Sequence, residues 1–114
     1  MAELVDVDVD YSYEGDKRLY AVSLSTDTWL ALIHIPPEES PRLAEVTSRA
    51  WDDGALRIGE SAGASVFWSV NGEDDRNTVV LLVGEDDETW DISFAIPAAV
   101  VDEIISAIKA LDAP

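Results

Sequence analysis

The segment TWDISFAIPAAVVDEIISAIKAL, residues 89–111, changes its hydrophobic period in the middle. From Trp90 to Ile96 apolar residues alternate with polar or small ones, which is the two-residue period of a half-buried strand. Pro97 then opens a helical pattern whose apolar residues form one stripe: Val100, Val101, Ile104, Ile105, Ile108 and Leu111. A strand followed at once by an amphipathic helix predicts an α+β fold in which this helix packs on the sheet. We expect the last residues, 110–114, to fray.

The N-terminal segment predicts two further strands and a hairpin. Residues 4–13, LVDVDVDYSY, alternate strictly, so we expect an inward face on one strand: Val5, Val7, Val9, Tyr11 and Tyr13. Glu14–Lys17 reads as a turn and residues 18–25 as the returning strand. Residues 29–35 are apolar on both faces, which predicts a central strand covered on both sides.

The middle of the chain predicts one helix and three strands. Ser40-Pro41 is a helix start, and the helical spacing that follows includes Leu43, Val46, Ala50 and Trp51, with Gly54 as a left-handed cap. Strands are expected near 55–59, 65–70 and 78–83, with a loop through residue 77 after Asn71-Gly72. The whole chain, 1–114, is predicted to be a single acidic α+β domain. Its curved, mainly antiparallel sheet has the order β-β-β-α-β-β-β-β-α, with two helices packed on it.

Charge dominates the composition. The chain has 24 Asp and Glu against 7 Lys and Arg, for a formal net charge of -17. Such a surface repels nucleic acid and anionic membranes and favours a basic protein partner. Acidity for solubility or for high salt is the competing explanation. We expect a cytoplasmic protein, because aspartates interrupt the N-terminus where a signal peptide needs basic and then apolar residues. The sequence leaves open whether it is a monomer or a homodimer.

Catalytic, cofactor and metal motifs are missing from the sequence. His34 is the only histidine and there is no cysteine, which excludes a two-histidine metal site and thiolate sites. Asp6, Asp8 and Asp10 resemble the start of a calcium loop, but the sixth and twelfth positions hold Tyr11 and Lys17 instead of Gly and Glu. No phosphate-binding glycine motif is present. We therefore predict a protein that is not an enzyme and that has no cofactor.

Acidic residues and one tryptophan are the candidate partner-binding residues. The four tryptophans each fall in or beside a predicted element, which favours core packing. Trp51, at a helix end beside Asp52 and Asp53, is the candidate for an exposed tryptophan that binds a partner. The predicted partner-binding residues are Asp6, Asp8, Asp10, Trp51, Asp52, Asp53, Asp74, Asp75, Asp86 and Asp87.

The C-terminal half also has a recognisable order of elements. A strand-like run, Thr78–Gly84, ends in glycine and is followed by an acidic turn with Glu88. An alternating strand then leads to Ile96-Pro97, which starts the helix through Val101 and Ile105. In this order the chain resembles small immunity proteins of bacterial polymorphic toxin systems, of the type that guards against deaminase toxins. The resemblance implies that the protein binds a cognate toxin, blocks its active site or substrate path, and does no chemistry.

The functional hypothesis is therefore a non-enzymatic acidic protein-binding module, of the immunity or inhibitor type, that neutralises a basic toxin or enzyme. Three alternatives stay open. They are a nucleic-acid-mimicking regulator, a small enzyme or ligand-binding domain with a lined pocket, and an acidic housekeeping domain.

Overall fold

A computed structural model describes residues 4–86 and 88–113. It contains one seven-stranded sheet in which each strand pairs antiparallel with the next along the chain. The strands are β1 (Asp6–Glu14), β2 (Lys17–Ser25), β3 (Leu30–Ile35), β4 (Leu56–Ser61), β5 (Ala64–Gly72), β6 (Asp75–Gly84) and β7 (Trp90–Pro97). The helices are α1 (Leu43–Val46) and α2 (Ala98–Asp112). The predicted fold class and order of elements are confirmed.

The sheet curves around α2. This helix contacts β1 at one end of the sheet and also β6 and β7 at the other end. Four residues of its predicted stripe are buried (Val100, Val101, Ile104 and Ile108), and Ile105 and Leu111 pack at the border of the core. The buried indole of Trp68 donates a hydrogen bond to the carbonyl of Ile58, 2.9 Å away. The helices cover one face of the sheet, and we call the opposite face the outer face.

Burial along β1 follows the predicted alternation except at its end. Val5, Val7, Val9 and Tyr11 pack against the core. Tyr13 was expected to point inward but is 67% exposed, because it lies at the hairpin end of the strand, beyond the reach of α2.

The prediction that β3 is covered on both sides is wrong. Ile33 and Ile35 are fully buried against the core, whereas Leu30 is 73% and Leu32 44% exposed on the outer face. The strand is central in the sheet order, but no second layer of described residues covers its outer side.

The predicted helix after Ser40 is also shorter than expected. A 3₁₀ turn at Ser40–Arg42 leads into the single turn of α1, and a separate 3₁₀ turn spans Trp51–Asp53. The Ser40 hydroxyl does not cap a helix but donates to the carbonyl of Pro37, 3.0 Å away. Gly54 does not form the predicted left-handed cap: its φ is +83° but its ψ is 179°, and it follows the second 3₁₀ turn.

The β5–β6 turn and the C-terminus differ from the prediction in smaller ways. The β5–β6 connection is a two-residue turn, Glu73 and Asp74, because β6 already begins at Asp75. The C-terminal residues do not fray from residue 110, since α2 continues to Asp112. The hydroxyl groups of Tyr11 and Tyr20 both donate to the Asp112 carboxylate and hold this end of the helix on the first two strands. Pro114 lies outside the described residues.

Candidate protein-binding surface

Acidic and apolar side chains form parallel columns on the outer face of β1, β2 and β3. Asp6 and Asp8 lie opposite serines of β2, and those serines lie opposite Leu30 and Leu32 of β3. Because neighbouring strands are about 4.8 Å apart, the aspartate column runs roughly 10 Å from the leucine column. The serines between them are small, so both columns are accessible from solvent. An exposed apolar column beside a carboxylate column is a surface on which a protein with basic and apolar groups can dock.

The next row of the same face continues onto β4. Asp10 lies opposite Ala21, which lies opposite His34, and His34 pairs with Glu60. All three predicted ladder aspartates are exposed, and the Asp10 carboxylate accepts a hydrogen bond from the Tyr11 N–H at 2.8 Å. β1 is an edge strand, where a carboxylate at every second position discourages pairing with another copy of the same edge.

A groove of about 660 Å³ opens at this end of the outer face. It lies between the β1–β2 turn and the β4–β5 turn, and its walls include Tyr13, Lys17, His34, Glu39 and Glu60. The lining is mainly polar, so the groove is suited to polar groups and not to an apolar ligand.

A β-bulge in β4 lies next to this groove and brings β4 close to β3. Gly59 has φ +76° and its N–H donates to the Glu39 carboxylate at 3.0 Å. A Cβ at this position would lie 2.7 Å from the carbonyl oxygen of His34, so only glycine lets β4 approach β3 this closely.

Two arginines hold Trp51 at the surface. The Arg49 guanidinium donates to the carbonyl of Asp53 at 2.9 Å, and Arg76 donates to the carbonyls of Thr47 at 2.9 Å and of Arg49 at 2.8 Å. These bonds satisfy carbonyls that a continuous helix would have paired internally. Trp51 is 47% exposed within this 47–54 loop and not packed in the core, which leaves it available as the candidate binding tryptophan, and its neighbours Asp52 and Asp53 are exposed too.

Arg76 also brings the Trp51 loop close to two other predicted binding residues, Asp74 and Asp75. Arg76 directly follows Asp75 on β6, so the 47–54 loop lies beside the β5–β6 turn that carries Asp74. Asp75 accepts a hydrogen bond from the Asn71 amide at 3.1 Å, and this bond, with one from the Thr78 hydroxyl, holds the pKa of Asp75 below its ordinary value. Asp75 thus has a structural role in the turn, whereas the Asp74 side chain is exposed.

Asp86 lies at the opposite end of β6. This strand has ten residues, so its two ends are roughly 30 Å apart at 3.3 Å per residue. The Asp86 carboxylate accepts the N–H groups of Glu88 at 2.8 Å and Thr89 at 2.6 Å, which lowers its pKa and closes the β6–β7 turn. Asp87 lies outside the described residues. The predicted binding residues are therefore distributed over three places: the β1 ladder, the Trp51 loop with the β5–β6 turn, and the β6–β7 turn.

Apart from Trp51, the exposed large apolar residues are the part of the surface that the sequence pattern did not predict. Besides Leu30 and Leu32 they include Trp90, 45% exposed, and Ile92, 58% exposed, on the edge strand β7. Apolar alternation predicts which side chains share a face, but burial of that face depends on strand order and on where α2 ends. Neither is visible in a local pattern.

No protein-family description, curated protein or solved structure matches this chain. Among the described residues, no helix is long and apolar enough to cross a membrane. No group of acidic or histidine side chains in the described part of the chain is arranged to hold a metal ion. The fold and the surface define an α+β protein whose sheet carries helices on one face and leaves an acidic and apolar face uncovered.

Proposed function

We propose that this protein is a non-enzymatic, acidic protein-binding module and that its outer face at β1–β3 binds a basic protein. The observation that supports this most strongly is the register that places Asp6 and Asp8 two strands from Leu30 and Leu32, two leucines that are exposed on the outer face of the isolated chain. Exposed large apolar side chains next to a strong charge are typical of interaction sites.

The two columns would make different contributions to binding. A leucine that becomes fully buried contributes about 1.5–3 kcal/mol, so Leu30 and Leu32 supply affinity and slow dissociation. The carboxylates of the β1 ladder pair with Lys or Arg at the rim of the interface. Rim charges act mainly on the association rate and on specificity.

The finer proposal is that the partner is a basic toxin or enzyme that binding neutralises. It is supported by the net charge of -17 and by the resemblance of the C-terminal half to immunity proteins. In this role the protein covers the active site or substrate path of its partner, and none of its own residues takes part in chemistry.

Mimicry of nucleic acid is less well supported. A mimic needs a continuous acidic stripe with little apolar contact, whereas the candidate aspartates occupy three separate places and the β1 ladder adjoins exposed leucines. A small-molecule site in the groove near His34 is a second candidate. Its volume of about 660 Å³ falls in the usual range for ligand sites, but most such sites are lined by apolar side chains.

The test begins by identifying the partner in the native host with the immobilised chain as bait. The recovered protein is then produced separately, and its binding kinetics are measured with three forms of the chain: unaltered, Leu30→Ser with Leu32→Ser, and Ile92→Ser. Ile92 is a matched control because it is as exposed as the leucines but lies on a different strand.

We expect the double variant to dissociate roughly tenfold faster or more, since 1.4 kcal/mol corresponds to a factor of ten, and the control to behave like the unaltered chain. Loss of binding in Ile92→Ser with normal binding by the leucine variant would overturn the proposal. A thermal-shift series with small polar ligands tests the groove, and a shift abolished by His34→Ala would favour the second candidate.

A further inference from the structure

The edge strand β7 has a different surface from the edge strand β1. Its side chains from Trp90 to Ser93 are exposed, and Asp91 is the only charged residue in its sequence, WDISFAIP. Trp90 and Ile92 are the two large apolar residues among them. Natural sheet edges are usually protected by charges, prolines, β-bulges or a covering loop. β7 has a charge and a bulge in its pairing with β6 at Asp91 and a proline at its last residue, whereas residues 92–96 pair regularly with β6 and carry no charge or proline.

The two edge strands differ in how well each could pair with the same strand of a second copy. If β1 paired antiparallel with β1 of another copy about Asp8, Asp6 would face Asp10 and Asp8 would face itself, and like charges directly opposite each other are destabilising. If β7 paired with itself about Ser93, Asp91 would face Ala95 and Ile92 would face Phe94. Pairing about Ile92 places Asp91 opposite Ser93. Neither register of β7 brings two carboxylates together.

We propose that β7 pairs antiparallel with β7 of a second copy of this chain, so that the sheet continues across a twofold axis. The pairing satisfies backbone groups along the edge and covers Trp90 and Ile92 on both copies. Each copy has one β7, so the symmetry closes at a dimer. The other edge keeps its carboxylates and stays available, so this inference does not depend on the proposed partner at β1–β3.

Net charge sets the conditions under which the dimer forms. Two chains that each carry a charge of -17 repel one another, and salt screens that repulsion. Self-association should therefore become tighter as salt rises, whereas binding to a basic partner should become weaker or slower. One strand pair is at the small end of protein interfaces, so we expect a reversible dimer and not a permanent one.

The experiment is analytical ultracentrifugation of the full chain, from micromolar to millimolar concentration, at about 0.05 M and about 0.5 M salt, where the Debye length falls from about 14 Å to about 4 Å. We expect a monomer–dimer equilibrium whose dissociation constant falls several-fold at the higher salt. Ile92→Lys should abolish the dimer, because it places a charge in the centre of the edge. Leu30→Lys is the matched control: it makes the same charge change at another exposed apolar residue, and it should keep the dimer.

Far-ultraviolet circular dichroism of both variants checks that each remains folded. A chain that stays monomeric at millimolar concentration in about 0.5 M salt, conditions in which charge repulsion is screened, would overturn the inference. So would a dimer that Leu30→Lys breaks and Ile92→Lys does not, or assemblies larger than a dimer. A chain that stays monomeric leaves the proposal that β1–β3 binds a basic protein untouched, whereas a dimer that depends on Leu30 would place a second copy on that same face.

Discussion

Asp112 holds the C-terminal end of α2 on the sheet, although the helix dipole disfavours a carboxylate at this end. A carboxylate at a helix C-terminus is normally unfavourable. Here the hydroxyl groups of Tyr11 and Tyr20 donate to it, at 2.5 Å in the case of Tyr11, and they hold the pKa of Asp112 below its ordinary value of 3.8. The same hydrogen bond to Asp112, followed by burial, raises the pKa of Tyr20 to about 12.

These directions give a pH dependence. Because the folded pKa of Asp112 is lowered, its stabilisation is complete above the unfolded pKa and is lost as pH falls through the folded pKa. Because the pKa of Tyr20 is raised from 10.0 to about 12, its contribution is complete below pH 10 and is lost as pH rises through 12. We therefore expect Tyr20→Phe to lower the urea midpoint at neutral pH, and the difference from the unaltered chain to shrink below pH 3.8.

The control for this experiment is Tyr13→Phe, because the Tyr13 side chain is 67% exposed at the end of the same strand β1 that carries Tyr11. Its urea midpoint should match that of the unaltered chain throughout. The pH range should extend to about 2.5, because ordinary aspartates titrate near pH ~3.9. If the urea midpoint of Tyr20→Phe stays below that of the unaltered chain by the same amount over this whole range, the hydroxyl does not act through Asp112.

Ala62 occupies a backbone conformation that its side chain disfavours. It forms the two-residue β4–β5 turn with Gly63, and both have positive φ, +51° and +84°. Turns of this kind prefer Asn-Gly, because a left-handed conformation costs an ordinary residue about 1–2 kcal/mol. Ala62→Asn should therefore raise the free energy of unfolding by roughly 0.5–1 kcal/mol in denaturant melts. Ala113→Asn, at an exposed residue with φ -66°, is the control and should change it by less than about 0.5 kcal/mol. A loss of stability in Ala62→Asn would contradict the argument.

Among the elements, α2 contributes the most to the core and was the best predicted. Ile104 is fully buried in the centre of its stripe. Ile104→Ala should cost about 2–5 kcal/mol, through lost apolar contact and the cavity left behind. The neighbouring Glu103 is exposed, and Glu103→Ala should cost less than about 0.5 kcal/mol. Equal urea midpoints for the two variants would show that α2 is not part of the core.

The stretch from residue 40 to residue 54 shows where local pattern fails. Leu43 and Val46 are buried at helical spacing, as expected, but the helix ends at Val46. Thr47 and Ser48 are weak helix formers, and Arg76 supplies hydrogen bonds to the carbonyls that the broken helix leaves free. That arginine is 29 residues away in sequence, so no window around the helix could have revealed it.

β3 shows that a local pattern can predict a strand and its place in the sheet without predicting which faces are covered. An apolar run predicts a strand in the middle of the sheet, and β3 is there, between β2 and β4. The same run was expected to be covered on both sides, but whether a layer lies over the outer face depends on where α1 and α2 go. The exposed leucines that support the proposed function therefore became visible only with the tertiary structure, whereas the exposure of the aspartate ladder followed directly from alternation.

For the whole molecule, the distribution of the few cations leaves the acidic surface uncompensated. Arg49 and Arg76 are engaged with backbone carbonyls, and Arg57 lies 3.9 Å from the Glu39 carboxylate and 3.4 Å from that of Glu60. The described structure shows no salt bridge to the β1 ladder. The field of the ladder is therefore directed outward, and it is available to steer a basic protein.

The strength of that steering can be measured with charge-matched variants. Asp6→Asn with Asp8→Asn removes two carboxylates from the outer face, and Asp102→Asn with Glu103→Gln removes two from α2 on the opposite side of the sheet. With the basic partner recovered from the host, the first pair should slow association several-fold and flatten its salt dependence, because charges near the contact dominate the encounter. The second pair should have a much smaller effect.

Equal slowing by both pairs would mean that net charge matters and the ladder does not. An association rate for the unaltered chain that is the same at about 0.05 M and about 0.5 M salt would exclude steering, because the Debye length shrinks about threefold between them.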